Sequence, residues 1–71
     1  MAEQRLGDKL VAILIEQVAN DRYPSGTMMD LIERSLTPST YERYVMVLMD
    51  KIASDRYPSV DLTRRIAVLV R

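Results

Sequence analysis

A five-residue segment occurs twice in this chain, and it constrains the fold more than any other feature. Residues 21–25 read Asp-Arg-Tyr-Pro-Ser, and residues 55–59 repeat them. The residue before a proline avoids helical backbone angles, so a helix has to end before Tyr23 and before Tyr57. A serine follows each proline, and a serine hydroxyl accepts a hydrogen bond from an unpaired amide in the first turn of a helix. Each segment is therefore predicted to form a corner between two helices.

Shifting the sequence so that position 21 lies on position 55 aligns more than the two corners, and we call this offset the repeat period. We therefore predict an all-α fold of four short helices, built as two tandem helix–turn–helix hairpins that pack about a pseudo-twofold axis. The first repeat unit covers about residues 3–37 and the second about residues 38–71 of a single domain. The identical or similar pairs outside the corners are Val11 and Val45, Leu14 and Leu48, Ala19 and Ala53, Ile32 and Ile66, Lys9 and Arg43, Asp8 and Glu42, Glu16 and Asp50, Val18 and Ile52, and Met28 and Leu62.

Apolar periodicity and the corners together predict where each helix begins and ends. The predicted ranges are 3–20, 26–36, 39 or 40 to 54, and 60–71. Two caps compete at the start of the third helix. Ser39 and Glu42 have the spacing of a capping box, whereas Thr37 would cap a helix with Pro38 in its first turn.

Each helix has a predicted apolar face. The first helix is expected to turn these residues inward: Leu6, Leu10, Ile13, Leu14 and Val18. The third helix is expected to do the same with Tyr41, Tyr44, Val45, Leu48 and Ile52. In the second helix Met28, Leu31, Ile32 and Leu36 are predicted to face inward, and Asp30, Glu33 and Arg34 to be solvated. In the fourth, Leu62, Ile66 and Leu69 are predicted to face inward.

The first and third helices carry apolar residues outside these faces, so both are predicted to be central, with the second and fourth outside. A helix that is apolar nearly all round is usually enclosed on more than one side. If the additional residues find no cover within the chain, they mark an isologous contact with a second copy. We therefore expect a homo-oligomer, most simply a dimer, formed through the first and third helices. The candidate self-association residues are Val11, Ile15, Val47 and Met49.

Composition narrows the classes of function. The 71 residues include no cysteine and no histidine, so the sequence predicts no disulfide, metal site, cofactor site or catalytic residue. Ten basic and ten acidic residues balance, which does not indicate nucleic-acid binding or attraction to an anionic membrane. The longest apolar runs have six residues, far fewer than the roughly 20 that span a bilayer. The first residues lack the pattern of a secretory signal, so we expect a cytoplasmic protein. Because the chain has no histidine or cysteine, we also expect a protein that is not an enzyme.

Two surfaces remain as candidate contact sites. The corner residues Arg22, Tyr23, Arg56 and Tyr57 could contact a protein partner, although turn geometry explains the repeated corner better. The second hairpin also has the outline of a helix-turn-helix, with Arg64, Arg65 and Arg71 as candidate nucleic-acid contacts. The favoured hypothesis is a small protein-interaction or assembly module that self-associates. The alternative hypothesis is a small DNA-binding regulator.

Overall fold

The computed structural model describes the backbone of residues 2–56 and 59–71 and the side chains of residues 6–56 and 59–71. Within those residues the chain contains four α-helices and no strand, which confirms the all-α prediction. The helices are α1 (Ala2–Asn20), α2 (Gly26–Arg34), α3 (Pro38–Ser54) and α4 (Val60–Leu69). Both α2 and α4 end two residues earlier than predicted, where the amides of Ser35 and Val70 bond back to the carbonyls of Ile32 and Ile66.

The serine that closes each corner caps the helix that follows it, as predicted. Ser25 has extended backbone angles (φ −66°, ψ 132°), and its hydroxyl accepts a hydrogen bond from the Met28 amide at 3.3 Å. Ser59 has nearly the same angles (φ −67°, ψ 131°) and accepts from the Leu62 amide at 3.3 Å. Each hydroxyl satisfies one amide that the first helical turn leaves without a partner.

The third helix begins at Pro38 with Thr37 as its cap, so the boundary predicted at Ser39 or Thr40 is wrong by one or two residues. Proline is favoured in a first helical turn because it lacks the amide hydrogen that would otherwise stay unbonded there. The Thr37 amide donates to Oγ1 of Thr40 at 3.0 Å. The Thr37 hydroxyl also donates to Oδ1 of Asp8 at 3.3 Å, which joins this short connection to α1.

Helices α1 and α3 occupy the centre, since α1 contacts both α2 and α3, and α3 also contacts α4. Hydrogen bonds between the two central helices join early residues to early residues and late residues to late residues, so α1 and α3 run parallel. From one end to the other, these links are Asp8 with Thr37, Glu16 with Arg43, and the Asp21 carbonyl with Lys51. The buried core between the helices consists of Val11, Ile15, Val18, Met29, Ile32, Tyr44, Leu48 and Leu62.

The predicted pseudo-twofold packing is not confirmed. A twofold axis brings the same face of each helix into the contact. In this structure Glu16 of α1 forms an ion pair with Arg43 of α3, whereas among the described residues no ion pair joins the positions one repeat period away, Asp50 and Lys9. The two central helices therefore contact each other through different faces.

The apolar face that α1 turns toward the core differs from the predicted one. Val11, Ile15 and Val18 are buried, with Val11 4% and Ile15 0% exposed, and Leu14 packs against them. The prediction placed Leu6, Leu10 and Ile13 inward, and all three are exposed. Both sets repeat at intervals of four and three residues, so the spacing alone does not distinguish them.

Candidate interaction surface

Two of the four predicted self-association residues cannot form an intermolecular contact. Val11 and Ile15 lie in the buried core, so the prediction that they lack cover within the chain is wrong. They are covered because α1 is rotated so that these residues, rather than Leu10 and Ile13, meet the other helices. Val47 is half-buried and packs against the core, whereas Met49 is exposed.

The exposed apolar residues of α1 form one continuous surface. We define the α1 outer face as Leu6, Leu10, Ile13 and Gln17, which follow each other at intervals of four, three and four residues and so share one side of the helix. Leu6 is 66%, Leu10 56% and Ile13 50% exposed. Sequence reasoning missed this surface because it assigned these residues to the core. The signal that could have found it is the apolar character of α1 on nearly all sides.

A second exposed surface lies on α3. We define the α3 outer face as Glu42, Met46, Met49 and Ala53, which have the same spacing as the α1 outer face. All four residues are exposed, including both large methionine side chains. This face combines a carboxylate at one end with flexible apolar side chains in the middle, and thioether side chains adapt readily to the shape of a partner.

A polar network joins the two hairpins. The fully buried Tyr44 on α3 donates its hydroxyl hydrogen to Oε2 of Glu33 on α2 at 2.7 Å. Burial raises the pKa of Tyr44 above its ordinary value, and the hydrogen bond to Glu33 and the charge of that carboxylate raise it further. The hydroxyl therefore stays protonated and acts as a donor. Sequence reasoning placed Glu33 in solvent and missed this contact.

Arg65 completes this network from α4. Its guanidinium donates to Glu33 at 2.8 Å, to Asp30 at 2.8 Å and to Asp61 at 2.9 Å, and its side chain is 14% exposed. Burial acts to lower the pKa of Arg65, but the hydrogen bonds to the three carboxylates outweigh it and raise the pKa above its ordinary value. Arg65 therefore links α4 to α2 through ion pairs.

Fewer arginines are therefore available for nucleic-acid contact than the sequence predicted. Arg65 cannot offer its donors to a phosphate without breaking three ion pairs, which disfavours its predicted role as a nucleic-acid contact. Arg64 and Arg71 are exposed. In the part of the chain that the structure describes, α4 does not present a group of unpaired arginines.

The first corner presents both of its predicted contact residues to solvent. The Arg22 guanidinium lies 5.6 Å from the centre of the Tyr23 ring, a cation–π contact, and Tyr23 is among the most exposed side chains described. In the second corner Arg56 is exposed, and Tyr57 lies outside the described residues. A role of these residues in binding a partner stays a prediction.

An open groove of about 470 Å³ lies beside this corner, at the C-terminal ends of α1 and α3. Its walls include Arg22, Asp50, Lys51 and Asp55, so charges of both signs face it. Among the described residues there is no cluster of acidic, histidine or cysteine side chains suited to a metal ion. Within the same residues, every helix is too short or too polar to cross a lipid bilayer.

Comparisons with protein-family models, with curated proteins and with solved structures find no match to this chain.

Proposed function

We propose that this protein is a non-catalytic association module that binds a second copy of itself through α1 and α3. The observation that supports this proposal is the α1 outer face, where Leu6, Leu10 and Ile13 are each at least half exposed. Exposed apolar residues are common singly, but a continuous row of them favours a contact surface. The exposed Met46 and Met49 on α3 extend the same argument to the second central helix.

We also propose that the chain consists of two copies of one hairpin. Helices α1 and α3 end at Asn20 and Ser54, and helices α2 and α4 begin at Gly26 and Val60, so both boundaries recur at the repeat period. The matching backbone angles of the two capping serines support the same relation. A translation of one hairpin onto the next is consistent with parallel central helices that contact each other through different faces.

Enzyme activity and DNA binding have weaker support than self-association. The proposal that the protein is not an enzyme rests on the supply of side chains, since the chain has no histidine or cysteine. DNA binding is not proposed, because Arg65 is held by three carboxylates and the formal net charge of the chain is zero. A cytoplasmic location and an additional protein partner at the Arg22–Tyr23 corner remain predictions from the sequence.

Sedimentation equilibrium over micromolar to millimolar concentrations tests the proposed association. The wild-type chain is expected to exceed its monomer mass of 8.2 kDa as its concentration rises, and Leu10→Glu is expected to lower the association constant at least tenfold. Val68→Glu is the matched control, because Val68 is about as exposed as Leu10 but lies on α4 and belongs to neither outer face. A wild-type chain that stays monomeric throughout this range contradicts the proposed function.

A further inference from the structure

The hydrogen bonds that join α1 and α3 inside one chain place one side of each helix in the contact. We define the α1 inner face as Asp8, Ala12, Ile15 and Ala19, and the α3 inner face as Thr40, Tyr44, Val47 and Lys51. Both sets have intervals of four, three and four residues. At one end Asp8 accepts a hydrogen bond from the linker residue Thr37, and at the other the Ala19 carbonyl accepts from Lys51. All eight residues except Ala19 are buried or half-buried.

Moving each inner face by one repeat period turns it into an outer face. The α1 inner face maps onto Glu42, Met46, Met49 and Ala53, which are the α3 outer face. The α3 inner face maps onto Leu6, Leu10, Ile13 and Gln17, which are the α1 outer face. The α1 and α3 outer faces are thus the repeat equivalents of the two inner faces that contact each other within the chain.

We infer that copies of this chain associate head to tail, with the α3 outer face of one copy covering the α1 outer face of the next. This inference deepens the proposed function and rests on it, since it specifies which surfaces of the two copies meet. The contact would repeat the arrangement between α1 and α3, so a dimer would present four consecutive hairpins. Helical repeat arrays generally need at least about three units for stability, which two hairpins alone do not supply.

Charge complementarity supports this arrangement. Within the chain Glu16 pairs with Arg43. The equivalent residues are Asp50 and Lys9, which are both exposed and have the matching signs. Stacking a second copy in the same geometry brings Asp50 of one chain to Lys9 of the next. Asp50 and Lys9, whose ion pair a twofold relation within one chain would require, therefore form that pair between two chains.

The residues equivalent to Glu33 and its two donors are apolar. Within the chain, Tyr44 and Arg65 bind Glu33. The equivalents of the two donors are Leu10 and Leu31, and the equivalent of Glu33 is Ala67. At these three positions both sides of the contact change from polar to apolar together, so Leu10, Leu31 and Ala67 bring no buried charge or hydroxyl into the intermolecular contact. Leu31 and Ala67 are both exposed and available for this contact.

The inference predicts a heterologous contact, in contrast to the isologous dimer expected from the sequence. A heterologous contact uses two different surfaces, so each added copy exposes a fresh acceptor surface. Such assembly produces a ring if the rotation between copies closes and an open filament if it does not. The distribution of masses therefore extends beyond the dimer at high concentration.

Mixing two variants that each lose one face tests this inference. Leu10→Glu blocks the α1 outer face, and Met49→Glu blocks the α3 outer face. Both positions are exposed, so circular dichroism should show the wild-type helix content for each variant. Each variant alone is expected to be monomeric. An equimolar mixture is expected to form a one-to-one dimer that grows no further, since each copy retains the face that the other lacks.

Three results would overturn the head-to-tail contact. A mixture that stays monomeric while the wild-type chain associates refutes it and leaves the proposed self-association intact. A dimer formed by Met49→Glu alone indicates an isologous contact through the α1 outer faces and also refutes it. A wild-type chain that never associates refutes the proposed function together with this inference.

A charge reversal gives a second, milder test at exposed positions. Lys9→Glu and Asp50→Lys are each expected to weaken association alone, by about two- to fivefold for a surface ion pair. Mixing the two variants brings the introduced glutamate of one copy to the introduced lysine of the other with the signs reversed, so association between unlike copies is expected to recover. Equal association constants for the mixture and for the single variants contradict the predicted pairing.

Discussion

Replacing Tyr44 with phenylalanine removes one hydroxyl from the network between the hairpins and keeps the buried ring in place. The hydroxyl donates to the Glu33 carboxylate at 2.7 Å, and hydrogen bonds to charged groups contribute about 1.5–3 kcal/mol. Glu33 keeps its ion pair with Arg65 in the variant, so its charge is not left without a partner. We therefore expect Tyr44→Phe to lower the free energy of unfolding by about 1.5–2 kcal/mol at neutral pH.

The same substitution changes how stability depends on pH. In the unfolded chain Tyr44 ionises near its ordinary pKa of 10.0, whereas burial and Glu33 raise its pKa in the folded protein. Above pH 10.0 the unfolded state therefore binds fewer protons than the folded state, and this group's contribution to stability decreases as the pH rises. The decrease is at most about 1.4 kcal/mol per pH unit. The difference in stability between wild type and Tyr44→Phe should consequently shrink above pH 10.0.

Urea denaturation between neutral pH and about pH 11, at one fixed protein concentration, measures both effects. Tyr41→Phe is the control for loss of a tyrosine hydroxyl, because Tyr41 donates to the Leu69 carbonyl at 2.6 Å from a partly exposed position. A neutral hydrogen bond of that kind contributes about 0.5–1.5 kcal/mol. A loss below about 0.5 kcal/mol for Tyr44→Phe, or a difference that stays constant at alkaline pH, would refute the role assigned to the network.

Two further predictions test the placement of single side chains, measured by urea denaturation at concentrations low enough to keep the chain monomeric. Ile15→Ala is expected to cost about 2–5 kcal/mol of unfolding free energy because Ile15 is fully buried, whereas Ile13→Ala should stay within about 0.5 kcal/mol; similar costs would place α1 in a different rotation. Arg65→Met should cost about 1.5–3 kcal/mol because it removes the ion partner of Glu33, and the adjacent Arg64→Met should change stability by less than about 0.5 kcal/mol; equal effects would contradict the network.

The corners are the part of this fold that was accessible to sequence reasoning. Proline restricts the residue before it, and serine caps the helix after it, so both effects act within a few residues. The helix boundaries predicted from these rules agree with the structure to within two residues. The difference at the start of α3 has a local cause as well, since two valid caps lie within the same short connection and the helix uses Thr37.

The rotation of α1 could not be obtained in the same way. Its two apolar rows have the same spacing, and either one could have faced the core. The choice depends on which row fits the side chains of α2 and α3, and those contacts form between residues far apart in the chain. The candidate self-association residues were misassigned for this reason, because burying Val11 and Ile15 leaves Leu10 and Ile13 outside.

Local chemistry in the amino-acid order was therefore enough to specify four helices, their capped corners and the balance of charge, because these depend on neighbours in the chain. The packed molecule alone decided which apolar row is buried, that Glu33 binds Tyr44 and Arg65, and that α1 and α3 run parallel through different faces. Those features come from burial and ion pairs between residues that only folding brings together, and they define the surfaces on which the proposed association depends.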